Sequence, residues 1–331
     1  MSESHVMLVE TADRLFADLA ADTKLDFAPL WGQVAEAGFP SLLVPEQNGG
    51  FGGDWVDAVA VLRLAGYHAL PAPLAEAIVA ARLVADAGWA PTETLTVFAP
   101  LADGRVEADR FTGRLKSVPW GAVADRIVAV LDGALLQLRR VDATDVIRSE
   151  NPAGEARDTL VFNSAPIETA PVGIDLFALG ALTRAALIAG ALDAALARSI
   201  QYANDRVQFG KPIGKFQAVQ QALAVFAEEA AAANCAADAA ARAMDLGDAR
   251  FEIAAAKIRA NMAAQIGHAT AHQVHGAIGF TWEYDLHRWT RRLISWASEC
   301  GSERHWAEWL GGAVAIRGAD AFWPDLSARS D

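Results

Sequence analysis

The chain has 331 residues, a formal charge of −13, 53% apolar residues and 21% charged residues. This length allows two or three domains with a sizeable core, and the apolar content excludes wholesale disorder. The acidic excess argues against nucleic acid or an anionic membrane surface as the main partner. Two cysteines cannot form a disulfide framework, and no export-like segment opens the chain. We therefore expect a cytoplasmic protein without a nucleic-acid or membrane partner.

Residues 1–92 have the pattern of amphipathic helices, interrupted by a glycine-rich loop over 45–53. Asp54, directly after that loop, is a candidate N-cap of the next helix. We predict an N-terminal helical domain for this region.

Short β-rich runs dominate residues 93–170. The dipeptides Asp103-Gly104 and Asp132-Gly133 lie between them and are typical of hairpin turns. We predict a small middle domain that is mostly antiparallel.

From 171 to 331 the pattern is helical again, with long helices predicted over 173–205, 215–246 and 249–275. Small residues such as Gly190 on the first of them would let neighbouring helices approach closely. Arg184 and Arg198 bracket its most apolar stretch, which is typical of a buried helix rather than a membrane span. The fold class is α+β, mainly α, ending in a helical bundle. Strands do not alternate with helices, which disfavours a doubly wound dinucleotide fold.

Residues 206–220 form a local basic cluster in an acidic chain, at the turn between two long helices. Arg206 could bind a pyrophosphate bidentately, and the helix that starts near Gly214 offers free N–H groups to anions. A plain solvated turn is the alternative.

Residues 273–287 hold Gly276 and Ala277, whose small side chains would let a flat or phosphorylated ligand lie on the backbone. A plain helix–loop–helix corner is the alternative there.

Together these segments resemble the flavin-binding signature of the acyl-CoA dehydrogenase family. The match consists of Arg206-x-Gln-Phe-Gly-x-Pro-Ile-x-x-Phe-Gln217 and, some sixty residues later, Gln273-x-x-Gly-Ala-x-Gly-Phe-Thr-x-Glu283. Residues 38–50 and 111–125 resemble the family's N-terminal and middle domains. The resemblance implies N-terminal helices, a central β domain and a C-terminal four-helix bundle, assembled as a tetramer.

The resemblance also implies FAD as cofactor, with Arg206 at its pyrophosphate and a flavin held mainly by the neighbouring subunit. The other residues that the resemblance places near FAD are Gln208, Phe209, Ile213, Phe216, Gln217, Gln273, Gly276, Ala277 and Ser302. The family oxidises an acyl-CoA thioester by removing an α-proton with a carboxylate while a β-hydride passes to the flavin. An electron-transfer flavoprotein then takes the electrons.

The family's base is often a glutamate followed by glycine, and that slot falls on Cys300 in this chain, next to Gly301. Glu299 precedes the slot and would turn toward a substrate only if the local helix ends one residue early. A cysteine of ordinary pKa is a poor replacement for the carboxylate. The family's thr-glu-pro-x-x-gly-ser motif is replaced by residues 98–105, and its trp-ile-thr segment by residues 116–121.

Two enzyme readings follow. The chain is either a self-sufficient homo-oligomer that uses Glu299 as base, or a base-deficient subunit that completes the FAD site of a longer catalytic partner in a heterotetramer. The second reading resembles subunits known from bacterial steroid degradation. A non-enzymatic helical scaffold is a third reading, but it does not explain the retained Arg206 motif.

Other site types are disfavoured. His268, His272 and His275 share one helix face, but no acid is placed near them and we predict no metal site. Residues 49–53 carry no lysine and follow no strand, so they do not predict a phosphate loop. The sequence contains no Gly-x-Ser-x-Gly elbow of a serine hydrolase.

Overall fold

The computed structural model describes residues 3–22 and 25–329, and its first part is helical. The helices are α1 (Glu3–Ala21), α2 (Phe27–Glu36), α3 (Trp55–Tyr67) and α4 (Leu74–Asp86). Asp54 caps α3 as predicted, because its carboxylate accepts a hydrogen bond from the Asp57 backbone N–H at 2.8 Å.

Two four-stranded sheets follow the helices. Their strands are β1 (Thr96–Phe98), β2 (Leu101–Glu107), β3 (Arg110–Pro119), β4 (Arg126–Leu131), β5 (Ala134–Arg139), β6 (Asp145–Ile147), β7 (Arg157–Pro166) and β8 (Glu168–Pro171). The strand orders are β1-β4-β5-β8 and β2-β3-β7-β6. The antiparallel prediction needs one correction, because β1 and β4 are parallel. The chain leaves the first sheet after β1, builds β2 and β3 in the second sheet, and returns at β4 in the original direction.

One of the two predicted hairpin turns is correct. Asp132-Gly133 joins β4 to β5 with φ angles of 50° and 78°. Asp103-Gly104 lies inside β2 instead, and the turn is formed by Ala108 and Asp109 at φ 47° and 57°. Gly104 pairs with Gly113 on β3, and a Cβ added to Gly104 would lie 2.5 Å from the Thr112 carbonyl oxygen. Gly104 therefore allows β2 and β3 to approach each other closely and does not form a turn.

The rest of the described chain is a helical bundle with one short hairpin. Its elements are α5 (Leu176–Asp205), β9 (Val207–Gln208), β10 (Lys211–Pro212), α6 (Gln217–Leu246), α7 (Arg250–His275), α8 (His287–Ser298), α9 (Glu303–Arg317) and α10 (Ala319–Ala328). The three long helices lie within three residues of their predicted limits. The predicted domain boundaries stay a prediction, and their outermost residues lie outside the described part.

Helix α5 lies at the centre of the bundle, where small residues set the helix spacing. A Cβ atom added to Gly190 would lie 1.8 Å from the Arg63 carbonyl oxygen on α3. One added to Gly66 would lie 2.1 Å from the Leu187 carbonyl oxygen. The predicted close approach is therefore confirmed. Helix α5 is long and apolar enough to cross a membrane, but 89% of its most apolar window is buried by the surrounding protein.

Candidate functional site

The residues predicted for the site lie at two separate ends of α5. Arg206 follows the last residue of this helix, whereas Glu299 contacts Arg184 near its start. Arg184 and Arg206 are 22 positions apart, which corresponds to about 33 Å along a helix. We describe the two places as the open end, around Arg206, and the closed end, around Arg184.

At the open end, the β9–β10 hairpin fixes the residues that follow Arg206. The Arg206 N–H donates to the Tyr202 carbonyl at 2.9 Å, and the Arg206 carbonyl accepts from the Ile213 N–H at 2.8 Å. Arg206 is exposed, and its guanidinium forms no ion pair with any residue of the described ranges 3–22 and 25–329. An unpaired guanidinium in an acidic protein is a suitable anion-binding group.

Phe209 is the most unusual residue of this hairpin. Its side chain is 91% exposed, and its φ of 52° lies in the left-handed region that a bulky residue rarely adopts. Its ring meets the Phe216 ring edge-on, with the two centroids 6.1 Å apart. Lys211 lies over the same Phe216 ring, with its Nζ 4.4 Å from the ring centroid. Strained and exposed residues of this kind concentrate at ligand-binding and interaction sites.

The second predicted segment reaches the same end of the bundle. The His275 imidazole stacks on the Tyr202 ring at 4.5 Å, and Tyr202 lies four residues before Arg206. Gly276 follows at φ 63° and ψ −143°, and a Cβ added there would meet no atom within 4 Å. The backbone of Gly276 is therefore open to a ligand. The Tyr202–His275 contact joins the two predicted segments at this end of the bundle. One segment is the hairpin and the start of α6, with Arg206, Gln208, Phe209, Ile213, Phe216 and Gln217; the other is the end of α7 and the turn after it, with Gln273, Gly276 and Ala277.

Ser302 does not join that group. It lies directly after the closed end and caps α9, with its hydroxyl oxygen accepting from the His305 N–H at 3.2 Å. Its predicted contact with FAD stays a prediction, and its position places it with Glu299 rather than with Arg206.

At the closed end, Glu299 lies in a buried cluster of charges. Helix α8 ends at Ser298, one residue early, which meets the condition stated for Glu299 to turn inward. Its carboxylate accepts from Arg184 at 2.6 Å and from Arg157 at 2.9 and 3.0 Å. Asn151 donates a further hydrogen bond at 2.9 Å. The carboxylate therefore points at two guanidiniums.

The cluster extends beyond Glu299 and contains three carboxylates and three guanidiniums. Arg184 also pairs with Glu76 of α4, and Arg157 pairs with Glu155 at 3.0 Å. Glu155 accepts from Arg292 at 3.0 Å and from the Trp296 indole N–H at 2.9 Å. We call this set the charge cluster; its members are Glu76, Glu155, Arg157, Arg184, Arg292 and Glu299.

The charge cluster controls the protonation of Glu299. Burial alone would raise the pKa of this carboxyl, but Arg184 and Arg157 outweigh burial and hold the pKa at about 2. A general base works best when its pKa lies near the working pH. The predicted catalytic role of Glu299 is therefore disfavoured by its surroundings, because the carboxylate is a weak base with all of its lone pairs engaged.

Cys300, which occupies the family's base slot, is also unsuited to proton abstraction. Its thiol is 7% exposed, and burial raises its pKa to about 11. The neighbouring turn is held by Lys257, which is fully buried and donates to the carbonyls of Trp296 at 2.8 Å and Ala297 at 3.2 Å. Lys257 thereby caps the end of α8 and fixes the position of the cysteine.

Of the two segments that replace flavin-facing motifs of the family, 98–105 is buried only at its start and 116–121 is partly buried. Phe98 is fully buried, and both Phe98 and Cys300 contact Gly180 of α5, where an added Cβ would lie 3.4 and 2.5 Å from them. Trp120 stacks on Phe27 at 6.4 Å, and the Arg157 guanidinium lies 5.6 Å from the Trp120 ring centroid. The cavity between the charge cluster and Trp120, lined by Glu76, Arg157 and Arg184 among others, holds about 10 Å³. That is the space of one water molecule, far below the few hundred Å³ of a ligand pocket.

Sequence reasoning missed most of the charge cluster. Arg157 and Glu299 are 142 positions apart, and neither belongs to a recognisable motif. The available signal was a charge among mostly apolar residues: Glu76 near the start of α4 and Arg184 in the first half of α5. Such a charge requires a buried partner of opposite sign, although the sequence alone does not identify that partner.

The three histidines form no metal site. His275 is buried, and the His268 and His272 rings meet at 4.6 Å. Burial lowers the pKa of His272 to about 4. Within residues 3–22 and 25–329, no three His, Cys, Asp or Glu side chains are grouped so that they could hold a metal ion.

Comparison with known proteins agrees with this fold. Residues 171–297 match the family model "Acyl-CoA dehydrogenase, C-terminal domain". The chain is 31% identical to the acyl-CoA dehydrogenase IpdE2 of Mycobacterium tuberculosis, over 83% of each chain. Its fold is similar to the Tcur3481–Tcur3483 steroid ACAD, with a TM-score of 0.87, 23% identity, and 96% and 99% of the two chains covered. It is also similar to the ChsE4–ChsE5 complex from Mycobacterium tuberculosis, with a TM-score of 0.81, 23% identity, and 95% and 98% covered.

The chain belongs to the acyl-CoA dehydrogenase family, whose members are oxidoreductases with FAD as cofactor. The open end fits the diphosphate and adenine half of FAD, because it offers an unpaired guanidinium, an exposed ring and an open glycine backbone. The closed end offers no room for a flavin ring beside Glu299 and Arg184, because the cavity at the charge cluster holds only about 10 Å³.

Proposed function

We propose that this chain is a base-deficient subunit of an acyl-CoA dehydrogenase heterotetramer and completes the FAD site of a longer catalytic partner. The observation that carries the proposal is the contrast between the closed end and the open end. In an oligomer of this family, one subunit supplies a base and a flavin ring pocket, and its neighbour supplies the arginine arm. This chain is equipped only for the second task.

The charge cluster supports the absence of substrate chemistry in this chain. Removal of a thioester α-proton needs a base within hydrogen-bonding reach and room for the thioester. Glu299 is bound by Arg184 and Arg157, and Cys300 is a buried thiol of raised pKa. A cavity of about 10 Å³ holds no acyl group. The acyl-CoA substrate would therefore bind on the partner, whose carboxylate would remove the proton.

The open end supports a contribution to a flavin held by another chain. Arg206 would grip the pyrophosphate of FAD, and Phe209 would pack on its adenosine part. The remaining contacts would come from Gln208, Ile213, Phe216, Gln217, Gln273, Gly276 and Ala277. When bound, FAD would accept the substrate hydride, and an electron-transfer flavoprotein would be the electron acceptor of the complete enzyme.

The relatives support pairing with a different chain. ChsE4–ChsE5 is a complex, and Tcur3481–Tcur3483 is described as a steroid ACAD. For the assembly we propose an acyl-CoA ester of lipid or steroid catabolism as the substrate. We also propose a cytoplasmic location.

The competing reading is a self-sufficient homo-oligomer that uses Glu299. It requires the Glu299 carboxylate to break its ion pairs with Arg184 and Arg157. It also requires the charge cluster to open a pocket of roughly several hundred Å³ for the acyl group. Glu299→Gln separates the readings, because it abolishes dehydrogenation in a self-sufficient enzyme and does not remove the base in a composite one.

The visible spectrum of the pure protein tests the proposal directly. The tagged chain is purified from its native source, and the chains bound to it are identified by mass. The chain is then expressed alone and together with the longer family member so identified. We expect flavin colour only in the pair. Flavin bound by the chain alone, with dehydrogenase activity lost in a Glu299→Gln variant that circular dichroism shows to be folded, would establish the self-sufficient enzyme instead. A colourless pair would leave only the scaffold reading.

A further inference from the structure

The open end is assembled from two segments that are far apart in the chain. Arg206 follows α5, and Gly276 follows α7, so their relative position depends on how the ends of these two helices are joined. Neither residue contacts the other segment through its own side chain. Helices α5 and α7 pack extensively against each other, and the contacts at their ends set the local position of the two segments.

Three aromatic side chains lie at that junction. The Tyr202 ring stacks on the His275 imidazole at 4.5 Å with an interplanar angle of 28°. It also meets the Tyr284 ring edge-on at 6.0 Å, and the rings of His275 and Tyr284 lie 5.0 Å apart. Each ring contacts the other two, so the three form one unit that spans α5, α7 and the segment after Gly276.

Hydrogen bonds fix the orientation of the central imidazole. His275 Nδ1 lies 2.7 Å from the Ala271 carbonyl oxygen, which can only accept, so Nδ1 carries the proton. Nε2 is then an acceptor and receives the Tyr284 hydroxyl at 3.3 Å. Burial lowers the pKa of His275, which agrees with this neutral form. His275 is 3% exposed, so its ring is held by the protein on all sides.

The unit connects directly to the backbone of both ligand-facing residues. Tyr202 supplies the carbonyl that accepts the Arg206 N–H at 2.9 Å. His275 is followed in the chain by Gly276, whose φ is positive. A shift of either ring would therefore move the guanidinium and the open backbone relative to each other.

We propose that Tyr202, His275 and Tyr284 are positioning residues that hold the arginine arm and the glycine backbone at the spacing that FAD requires. This inference rests on the proposed function, since it concerns the nucleotide-binding side of the same composite site. The three residues act through Arg206 and Gly276 and do not themselves need to contact the cofactor.

The test compares the FAD affinity of variants within the assembled complex. The tagged chain, with its natural partner, is stripped of flavin and titrated with FAD, and the unfolding midpoint of the flavin-free complex is recorded in parallel. Tyr202→Leu removes the stacked ring, whereas Tyr202→Phe retains it and is the matched control. We expect Tyr202→Leu to raise the Kd for FAD about tenfold, the factor that corresponds to the loss of one aromatic pair. Tyr202→Phe should bind FAD with the wild-type Kd, and neither variant should unfold early in the absence of flavin.

A folded Tyr202→Leu complex with the wild-type Kd would overturn the inference. If that variant fails to assemble, Tyr284→Phe decides, because it removes only the hydroxyl that His275 accepts. We expect its Kd to rise about fivefold, as for one neutral hydrogen bond, and an unchanged Kd would overturn the inference. If the wild-type complex itself binds no FAD, the proposed function fails first, and this inference fails with it.

Discussion

The two ends of α5 are built on opposite principles. At the closed end, every guanidinium of the charge cluster has a carboxylate partner, and a cavity of about 10 Å³ remains. At the open end, Arg206 has no ion-pair partner among the described residues, and Phe209 is 91% exposed. The first arrangement stabilises the folded chain, and the second leaves binding groups free for another molecule.

This contrast separates residues that maintain the fold from residues that await a ligand. Changes at the closed end should alter the stability of the folded chain. Changes at the open end should alter FAD affinity and leave that stability unchanged. Four experiments can break this separation or define it more closely.

The largest effect should come from Glu299→Gln at the closed end. The change removes the negative charge that Arg184 and Arg157 share and leaves three guanidiniums facing only Glu76 and Glu155 in a buried site. Removal of one member of a buried ion pair lowers the free energy of unfolding by about 3–5 kcal/mol. Chemical denaturation measures this loss. Glu308→Gln is the control, because its ion pair with Arg304 is exposed and the variant should remain near wild-type stability. Wild-type stability of Glu299→Gln would contradict the assigned role of the charge cluster.

The second effect is a pH dependence of stability from the same carboxyl. The pKa of Glu299 is about 2 in the folded chain and lies below its ordinary value of 4.5. Its stabilising contribution is therefore present above pH 4.5 and is lost as the pH falls from 4.5 toward 2. The difference corresponds to about 3 kcal/mol. Denaturation of the wild type and of Glu299→Gln across this window should give converging curves. Parallel curves would show that the charge cluster does not depress this pKa.

Arg206→Ala at the open end should leave folding unchanged and weaken FAD binding. A charge-assisted hydrogen bond contributes about 1.5–3 kcal/mol, so the Kd of the complex for FAD should rise about 10- to 100-fold. Flavin titration of the stripped complex measures the change. Arg242→Ala is the matched control, because Arg242 is exposed on α6, away from the hairpin. Equal FAD affinity in the two variants would remove Arg206 from the site.

Phe209→Ala should give the smallest effect. Loss of one exposed ring that stacks on a ligand weakens binding by about 1 kcal/mol. The unfolding midpoint should not fall, because the ring buries little surface in the free chain and its backbone is strained. Ile316→Ala, 88% exposed on α9, is the control for removing an exposed apolar side chain. A fall in midpoint for Phe209→Ala alone would assign this ring to the fold.

The sequence predicted the helices well and placed the Arg206 motif at the turn between two of them, because both features are encoded locally. Helices α6 and α7 were placed by periodicity and by Gly247 between them, and the Arg206 motif is contiguous. The predicted residues Gln273, Gly276 and Ala277 lie in the last turn of α7 and directly after it, at the helix end that Gly276 marks. Such features are determined by a few neighbouring residues, so they can be recognised without knowledge of the tertiary structure.

The closed end could not be predicted, because its contacts join distant parts of the chain. Arg157 reaches Glu299 from the first residue of β7, Asn151 reaches it from the loop before that strand, and Glu76 joins the charge cluster from α4. Sequence reasoning could state only that Glu299 would turn inward if α8 ended early. The parallel pairing of β1 with β4 was missed for the same reason, since it depends on how β2 and β3 leave the first sheet.

The exposed rings of the open end have a practical consequence for handling the protein. Phe209, Phe280 and Trp282 are 91%, 73% and 72% exposed. All three lie within the two segments that resemble the flavin-binding signature. Water-facing aromatic surface of this kind promotes self-association when nothing covers it. Solubility after separate and joint production should therefore differ sharply, and the yield of soluble material would report on assembly before any cofactor is measured.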